Sequence, residues 1–303
     1  MSKRRDFVKN SILATAGIAG LGSVASLYGT TGRKVNPSDK IRVALIGGRN
    51  MGWSNLETFL KFPQVDCVSL CDIDNEWLYK RAADTEKISG RRPSQIVKDW
   101  RRVMDNQDVD AVIIATPDHW HCLQAIAAME AGKDVYCEKP LANSIAECDA
   151  MVRAARRHKR VVQTGQWQRS DPHWQDAVAF IHSGKLGRIR TVKVWAYMIW
   201  KKTLPLQPDG PVPPGVDYEM WLGPARHRPF NPNRFHYNFR YFWDYAGGLM
   251  SDWGVHLLDY ALLGMKADLP NAVYTAGGKF AYPGDAMETP DTLLASYVYD
   301  DFT

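Results

Sequence analysis

Between Ile41 and Thr164 short apolar runs alternate with stretches of helical character. Ile41–Ile46 leads into Gly47-Gly48 and a helical stretch from Met51 to Phe62. Val65–Leu70 ends at Cys71-Asp72-Ile73-Asp74, Ala111–Ala115 closes on Thr116-Pro117, and Val135–Cys137 closes on Glu138-Lys139-Pro140. Strands this short and this continuously apolar are buried on both faces, which requires a parallel sheet covered by helices above and below. The pattern predicts a doubly wound α/β domain over 41–164. Ser144 and Glu147 have the spacing of a capping box and open a helix through Ala150, Met151 and Ala154. Val161–Thr164 reads as the last strand.

Beyond Gly165 the composition changes. Seven of the eleven tryptophans lie there, with a proline-rich loop from Pro205 to Pro214. A helix is predicted over Trp174–His182, a β-rich run over Ile189–Met198, a helix near Trp253–Leu263, and strands at Val273 and Leu293–Tyr299. This mixture predicts an α+β domain with an open sheet over 165–303. No helix or tail follows the last strand-like run, so the second domain is expected to be C-terminally incomplete.

Charge and composition exclude several classes. Lys3, Arg4, Arg5 and Lys9 against the single Asp6 place most of the net charge of +5 in residues 1–26, so no basic face is left for nucleic acid. That segment has the form of a twin-arginine signal: Arg4-Arg5-Asp6-Phe7-Val8-Lys9, an Ala- and Gly-rich apolar stretch to Leu27, and a cleavage region at Ala25-Ser26. It predicts export to the periplasm, a linker over 27–40 and no membrane insertion after cleavage. The five cysteines, Cys67, Cys71, Cys122, Cys137 and Cys148, form no Cys-x-x-Cys pair and are expected to be buried thiols. No metal is expected, because His119 and His121 have no acidic or thiolate partner with ligand spacing.

A strand, a glycine turn and a helix form the place where a dinucleotide pyrophosphate rests on helix N-terminal N–H groups. Gly47 and Gly52 keep the outer positions of G-x-G-x-x-G, while Arg49 replaces the middle glycine. A side chain there obstructs close backbone approach, and its charge could instead meet the phosphates. Asp72, twenty residues after Gly52, stands where a carboxylate accepts hydrogen bonds from ribose hydroxyls. The expected coenzyme is NAD, with NADP the alternative, since Asp72 would repel a 2′-phosphate. Expected cofactor contacts are Gly47, Gly48, Arg49, Met51, Gly52, Asp72, Thr116, Pro117, His119, Glu138 and Lys139.

Three segments in this order, Thr116-Pro117-Asp118-His119-Trp120-His121, Cys137-Glu138-Lys139-Pro140-Leu141 and Gly247-Gly248-Leu249-Met250-Ser251-Asp252-Trp253-Gly254-Val255-His256-Leu257-Leu258-Asp259, resemble the Gfo/Idh/MocA oxidoreductases. Gln166–Ser170 and Trp221–Ala225 resemble exported members. The resemblance implies an N-terminal Rossmann domain and a second domain whose open, mostly antiparallel sheet carries the substrate and a homo-oligomer interface. It also implies that Lys139, Asp252 and His256 occupy catalytic positions.

Such a set suits oxidation of a secondary hydroxyl on a sugar, glycoside or cyclitol by hydride transfer to nicotinamide. Lys139 would bond the substrate oxygen and His256 would take its proton. Asp252, four residues before His256, would share its helix face and orient the ring. Arg169, Trp195, Tyr197, Lys201, Arg240 and Trp243, with Asp252 and His256, supply the polar and aromatic groups that sugar rings need. Two other functions fit the same residues less directly: an NAD-dependent glycoside hydrolase or lyase that oxidises a ring carbon transiently, and a non-catalytic dinucleotide or sugar sensor.

Overall fold

The computed structural model describes residues 39–198 and 201–303, so the expected signal segment at 1–26 lies outside the described residues. Strands β1 (Ile41–Ile46), β2 (Val65–Cys71), β3 (Gln95–Val97), β4 (Ala111–Ile114), β5 (Asp134–Cys137) and β6 (Val162–Thr164) form one sheet in the order β3-β2-β1-β4-β5-β6. Every pair is parallel. The crossovers contain helices α1 (Asn50–Phe59), α2 (Asn75–Ser89), α3 (Arg101–Asp105), α4 (Asp118–Glu130) and α5 (Ile145–His158). One apolar cluster joins Val43, Leu45, Leu56 and Leu78; another joins Ile46, Ile114, Met129 and Met151. The six strands form the doubly wound parallel sheet that the apolar runs predict.

Local signals set the ends of these helices. Ser144 caps α5 by accepting the N–H of Glu147, and the Glu147 carboxylate reaches back to the N–H of Asn143 rather than that of Ser144. Asp74 caps α2 by accepting the N–H of Glu76, while Gly90, at φ 72°, ends it in the left-handed conformation that glycine tolerates. Cys67, Cys71, Cys122 and Cys137 are buried and Cys148 is half-buried, all as free thiols.

The second region begins with a 3-10 turn, Trp167–Ser170, and helix α6 (Pro172–His182). It continues through the short α7 (Tyr218–Leu222), a 3-10 turn at His236–Tyr241 and a π-helical turn at Met250–Gly254. That turn leads into α8 (Val255–Met265), followed by the antiparallel pair β7 (Ala272–Gly278) and β8 (Thr292–Val298). Tyr218, Trp221, Phe230, Phe235 and Tyr245 make its own aromatic core.

The predicted β-run at Ile189–Met198 is not a strand. Arg190 and Val192 exchange backbone hydrogen bonds with Thr303, but no ladder forms along the run among the described residues. Trp195 and Tyr197 are correspondingly exposed. Among the described residues no helix is long and apolar enough to cross a membrane.

Leu45, in the central strand, has 0% exposure. Leu45→Ala is expected to destabilise the protein by about 2–5 kcal/mol, the cost of a core cavity, read from the urea midpoint at unchanged slope.

Candidate active site

The C-terminal ends of β1, β2, β4 and β5 open into a cleft of about 1170 Å³, counting its open mouth, which residues of the second region close from above. At its β1 side Gly47 adopts φ +90°, and a Cβ on Gly52 would overlap the carbonyl oxygen of Gly47. Only glycine lets the turn pack this closely before α1. Arg49 is the N-cap of α1 and makes no side-chain cap bond. Its guanidinium lies over the Trp77 ring at 4.8 Å, so the side chain that replaces the middle glycine stacks on an aromatic face. These features fit a dinucleotide: free helix N-terminal N–H groups for the pyrophosphate, and Asp72 on the cleft wall for the ribose.

Asp72 accepts the N–H groups of Gly48 at 2.7 Å and Asp74 at 3.0 Å. Burial nevertheless raises its carboxyl above the usual range, against those two bonds. Arg81 donates to the carbonyl of Gly48 and to Asp84, and it stacks over Trp53 and Trp77. Its guanidinium is thereby engaged rather than offered to a 2′-phosphate.

At the other end of the cleft Lys139 Nζ donates to the Asp252 carboxylate at 2.5 Å and to the Asp252 carbonyl at 3.0 Å. Arg240 binds the second carboxylate oxygen. Burial opposes ionisation of Asp252, but the charges of Arg240 and Lys139 overcome it and hold the carboxyl below its ordinary range. Glu138, also on the wall, accepts from the Asn55 amide at 2.8 Å. The Lys139–Pro140 peptide is cis.

Among the described residues Asp252 makes no hydrogen bond to His256, although its charge still favours the protonated ring. Both Asp252 oxygens are committed to cations, and His256 Nδ1 is buried without a partner among the described residues. The π-helical turn at Met250–Gly254 breaks the α-helical spacing on which that pairing depended. His256 lies between the edges of Trp167 and Trp253 and is not among the residues that line the cleft. Burial first, and then the charge of Lys139, depress its pKa, so its ring is neutral.

Of the remaining expected residues, Gly47, Arg49, Met51, Gly52, Asp72, Thr116, Pro117, Glu138, Lys139, Arg240 and Asp252 line the cleft. Gly48 contributes its N–H to Asp72 from behind. His119 does not line the cleft: its Nε2 lies 3.1 Å from the Trp221 carbonyl, and burial pulls its pKa down to about 4. His121 is also buried, its ring nitrogens 2.8 Å from the carbonyls of Pro140 and Thr116.

Arg169 pairs with Asp259, and Trp195 lines a separate apolar hollow beside Trp174 and Tyr260. Tyr197 and Trp243 are exposed elsewhere, and Lys201 is buried against Asp285. These five side chains have the chemistry a sugar site needs, but the fold does not bring them to the cleft.

The second region supplies lining residues that local sequence does not reveal, including Met220, Trp221, His236, Tyr237 and Phe239. His236 bonds Asp74 at 2.9 Å across the seam. Burial, then the charge of Arg49, depress its pKa to about 4. Asp118, which also lines the cleft, was missed although it lies inside the Thr116–His121 segment.

This arrangement of a parallel sheet, a glycine turn, a ribose-side carboxylate and a lysine at one strand-end cleft defines an NAD-binding oxidoreductase fold. Residues 41–166 match the model described as "Oxidoreductase family, NAD-binding Rossmann fold", and residues 152–289 match "Oxidoreductase family, C-terminal alpha/beta domain". The chain belongs to the Gfo/Idh/MocA oxidoreductase family.

Among its relatives is the uncharacterized oxidoreductase YrbE of Bacillus subtilis, 24% identical over 263 residues, covering 86% of this chain and 64% of YrbE. A glycosyl hydrolase family 109 protein of Shewanella is 31% identical over 172 residues, covering 52% of this chain and 38% of that protein. Levoglucosan dehydrogenase of Pseudarthrobacter phenanthrenivorans is 34% identical over 153 residues, covering 49% of this chain and 39% of the enzyme. The chain thus spans less than two thirds of the length of each of these relatives. In structure it is similar to GenD2 from gentamicin A biosynthesis, solved with NAD, at a TM-score of 0.64 and 20% identity. That match covers 95% of this chain and 67% of GenD2.

With Asp72 at the ribose end and Arg81 engaged, NAD is expected to bind more tightly than NADP. Dissociation constants from quenching of tryptophan fluorescence check this, and tighter NADP binding would contradict the role given to Asp72.

Proposed function

We propose that this chain acts as an NAD-dependent oxidoreductase on a secondary hydroxyl of a sugar, glycoside or cyclitol, after export through the twin-arginine route to the periplasm. The observation that carries the reaction is the Lys139–Asp252–Arg240 cluster on the wall of the same cleft as the dinucleotide turn. The relative named levoglucosan dehydrogenase supports the substrate class.

The glycine turn at Gly47–Gly52 and Asp72 would hold NAD, which would supply the hydride acceptor. Lys139 would hold the substrate hydroxyl and lower its proton affinity, because a buried cation stabilises developing negative charge on oxygen. Asp252, kept ionised between two cations, holds Lys139 in place through two hydrogen bonds. His256, behind that pair, is in the neutral form that accepts a proton.

His256→Ala, Lys139→Ala and Asp252→Asn are each expected to lower turnover by about 10²- to 10⁴-fold, with NAD binding nearly intact, the last because it takes from Lys139 and Arg240 the carboxylate that holds them. Steady-state NADH formation beside NAD titration reads both quantities. Wild-type turnover in either alanine variant would remove that residue from the mechanism.

The family 109 relative favours a second reading, glycoside cleavage with the hydride returned to the product. The same assay separates the two: an aglycone released with no net NADH identifies the hydrolase or lyase, whereas accumulating NADH identifies the dehydrogenase.

Export rests on Arg4-Arg5 and the apolar stretch behind them. Replacing both arginines by lysine is expected to leave the full-length precursor in the cytoplasm on cell fractionation. Continued export of that double variant would defeat the assignment.

A further inference from the structure

Four carboxyl groups line the cleft, and three are held by donors from elsewhere in the chain. Asp72 has two backbone N–H groups, Glu138 has the Asn55 amide, and Asp252 has Lys139 and Arg240. Asp118, the first residue of α4, is equally buried at 5% exposure. Among the described residues it accepts no hydrogen bond from any residue but itself.

The charged groups around Asp118 come from three other elements. Asp252 on the π-helical turn disfavours its ionisation; Arg240 on the 3-10 turn and Lys139 after β5 favour it, but both spend their contacts on Asp252. Cys137, at the end of β5, is a buried thiol whose ionisation burial opposes strongly. On its own helix His119 is turned to Trp221, and His121 to Pro140 and Thr116. An ionised Asp118 would therefore be a buried carboxylate without a direct partner, the state that proteins avoid by retaining the proton.

We propose that Asp118 keeps its proton through the reaction and donates a hydrogen bond, beside Lys139, to a hydroxyl or carbonyl oxygen of the bound polyol. This rests on the oxidoreductase reading above. Burial, with the Asp252 charge adding to it, pushes the Asp118 carboxyl up to about 8, so the donor is present at neutral pH and lost above that value. Apolar surroundings that keep a carboxylic acid neutral turn an ordinary acceptor into a donor.

Asn retains a donor of similar shape and cannot ionise, whereas Ala retains none. With levoglucosan and myo-inositol as probes, Asp118→Asn is expected to keep kcat/KM within a few-fold at pH 7 and to lose the decline that the wild type shows above about pH 8. Asp118→Ala should lose about 10- to 100-fold at pH 7, the loss expected for one hydrogen bond to a reacting group, with a deficit that shrinks above about pH 8 as the wild type loses the same donor.

A second readout needs no substrate. The unfolded carboxyl ionises near pH 4 while the folded one holds its proton to about 8, so folding becomes less favourable as pH rises between those values. The melting temperature of NAD-bound Asp118→Asn should exceed that of the wild type by a gap that widens from pH 5 to pH 8 and is level above.

A constant gap, or equal losses in the Asn and Ala variants, would overturn the proposal, as would wild-type turnover in Asp118→Ala. If Asp118→Ala does not fold, the pH profile and melting of Asp118→Asn still decide. Absence of any NAD reduction by the wild type would defeat the oxidoreductase reading and this assignment together. Reduction by the wild type with an unchanged alkaline decline in Asp118→Asn would defeat this assignment alone.

Discussion

The contact on which the site depends is the Asp252 carboxylate between Lys139 and Arg240. A buried carboxylate and two half-buried cations meet at the seam between the Rossmann sheet and the second region, where an isolated charge would be costly. Each is acceptable only because the others are there. Lys139 comes from the loop after β5, whereas Asp252 and Arg240 come from two separate turns more than a hundred residues later. The cluster therefore exists only when the two regions are docked in this orientation. Electrostatics thus ties assembly of this cluster to the fold as a whole.

Apolar packing and neutral polar groups complete the seam. The Trp221 carbonyl accepts the Trp120 indole N–H at 3.0 Å, with the His119 ring beside it. Gly223, at φ +50°, lies so close to Trp120 that a Cβ would overlap the indole. Further along, Asp217 donates its N–H to Ile73, and Lys98 donates to Gly215. Those contacts bring the segment after the proline-rich loop against the ribose end of the cleft. Burial keeps His119 and His236 neutral, so no uncompensated imidazolium charge is added to a site already crowded with ions.

The cleft consequently divides by charge. At the β1–β2 side, backbone N–H groups, glycines and Arg49 stacked on Trp77 present a surface suited to phosphates and ribose. At the β5 side Lys139 donates to a carboxylate that two cations keep ionised. The strand ends of an open parallel sheet bring both halves to one place, because the loops that leave them converge where the strand order reverses beside β1.

Sequence alone determined the parallel sheet, because continuous apolar runs with β-branched residues leave no other way to bury both faces. It also determined the Ser144 cap and the glycine turn, which are local geometry, and it placed Lys139 and Asp72 at strand ends. Tertiary structure decided which distant residues share the cleft. Arg240 and Asp252 meet Lys139 there, whereas Arg169, Trp195, Tyr197, Lys201 and Trp243, equally plausible by type, pack elsewhere. Spacing of four does not by itself make Asp252 bond His256: it fixes a shared face only on a regular α-helix, and the chain makes a π-helical turn there. Asp118 differs from the other cleft carboxyls not in residue type but in accepting no hydrogen bond from another described residue. Partnership is set by what the rest of the chain places around a side chain, and no local pattern records it.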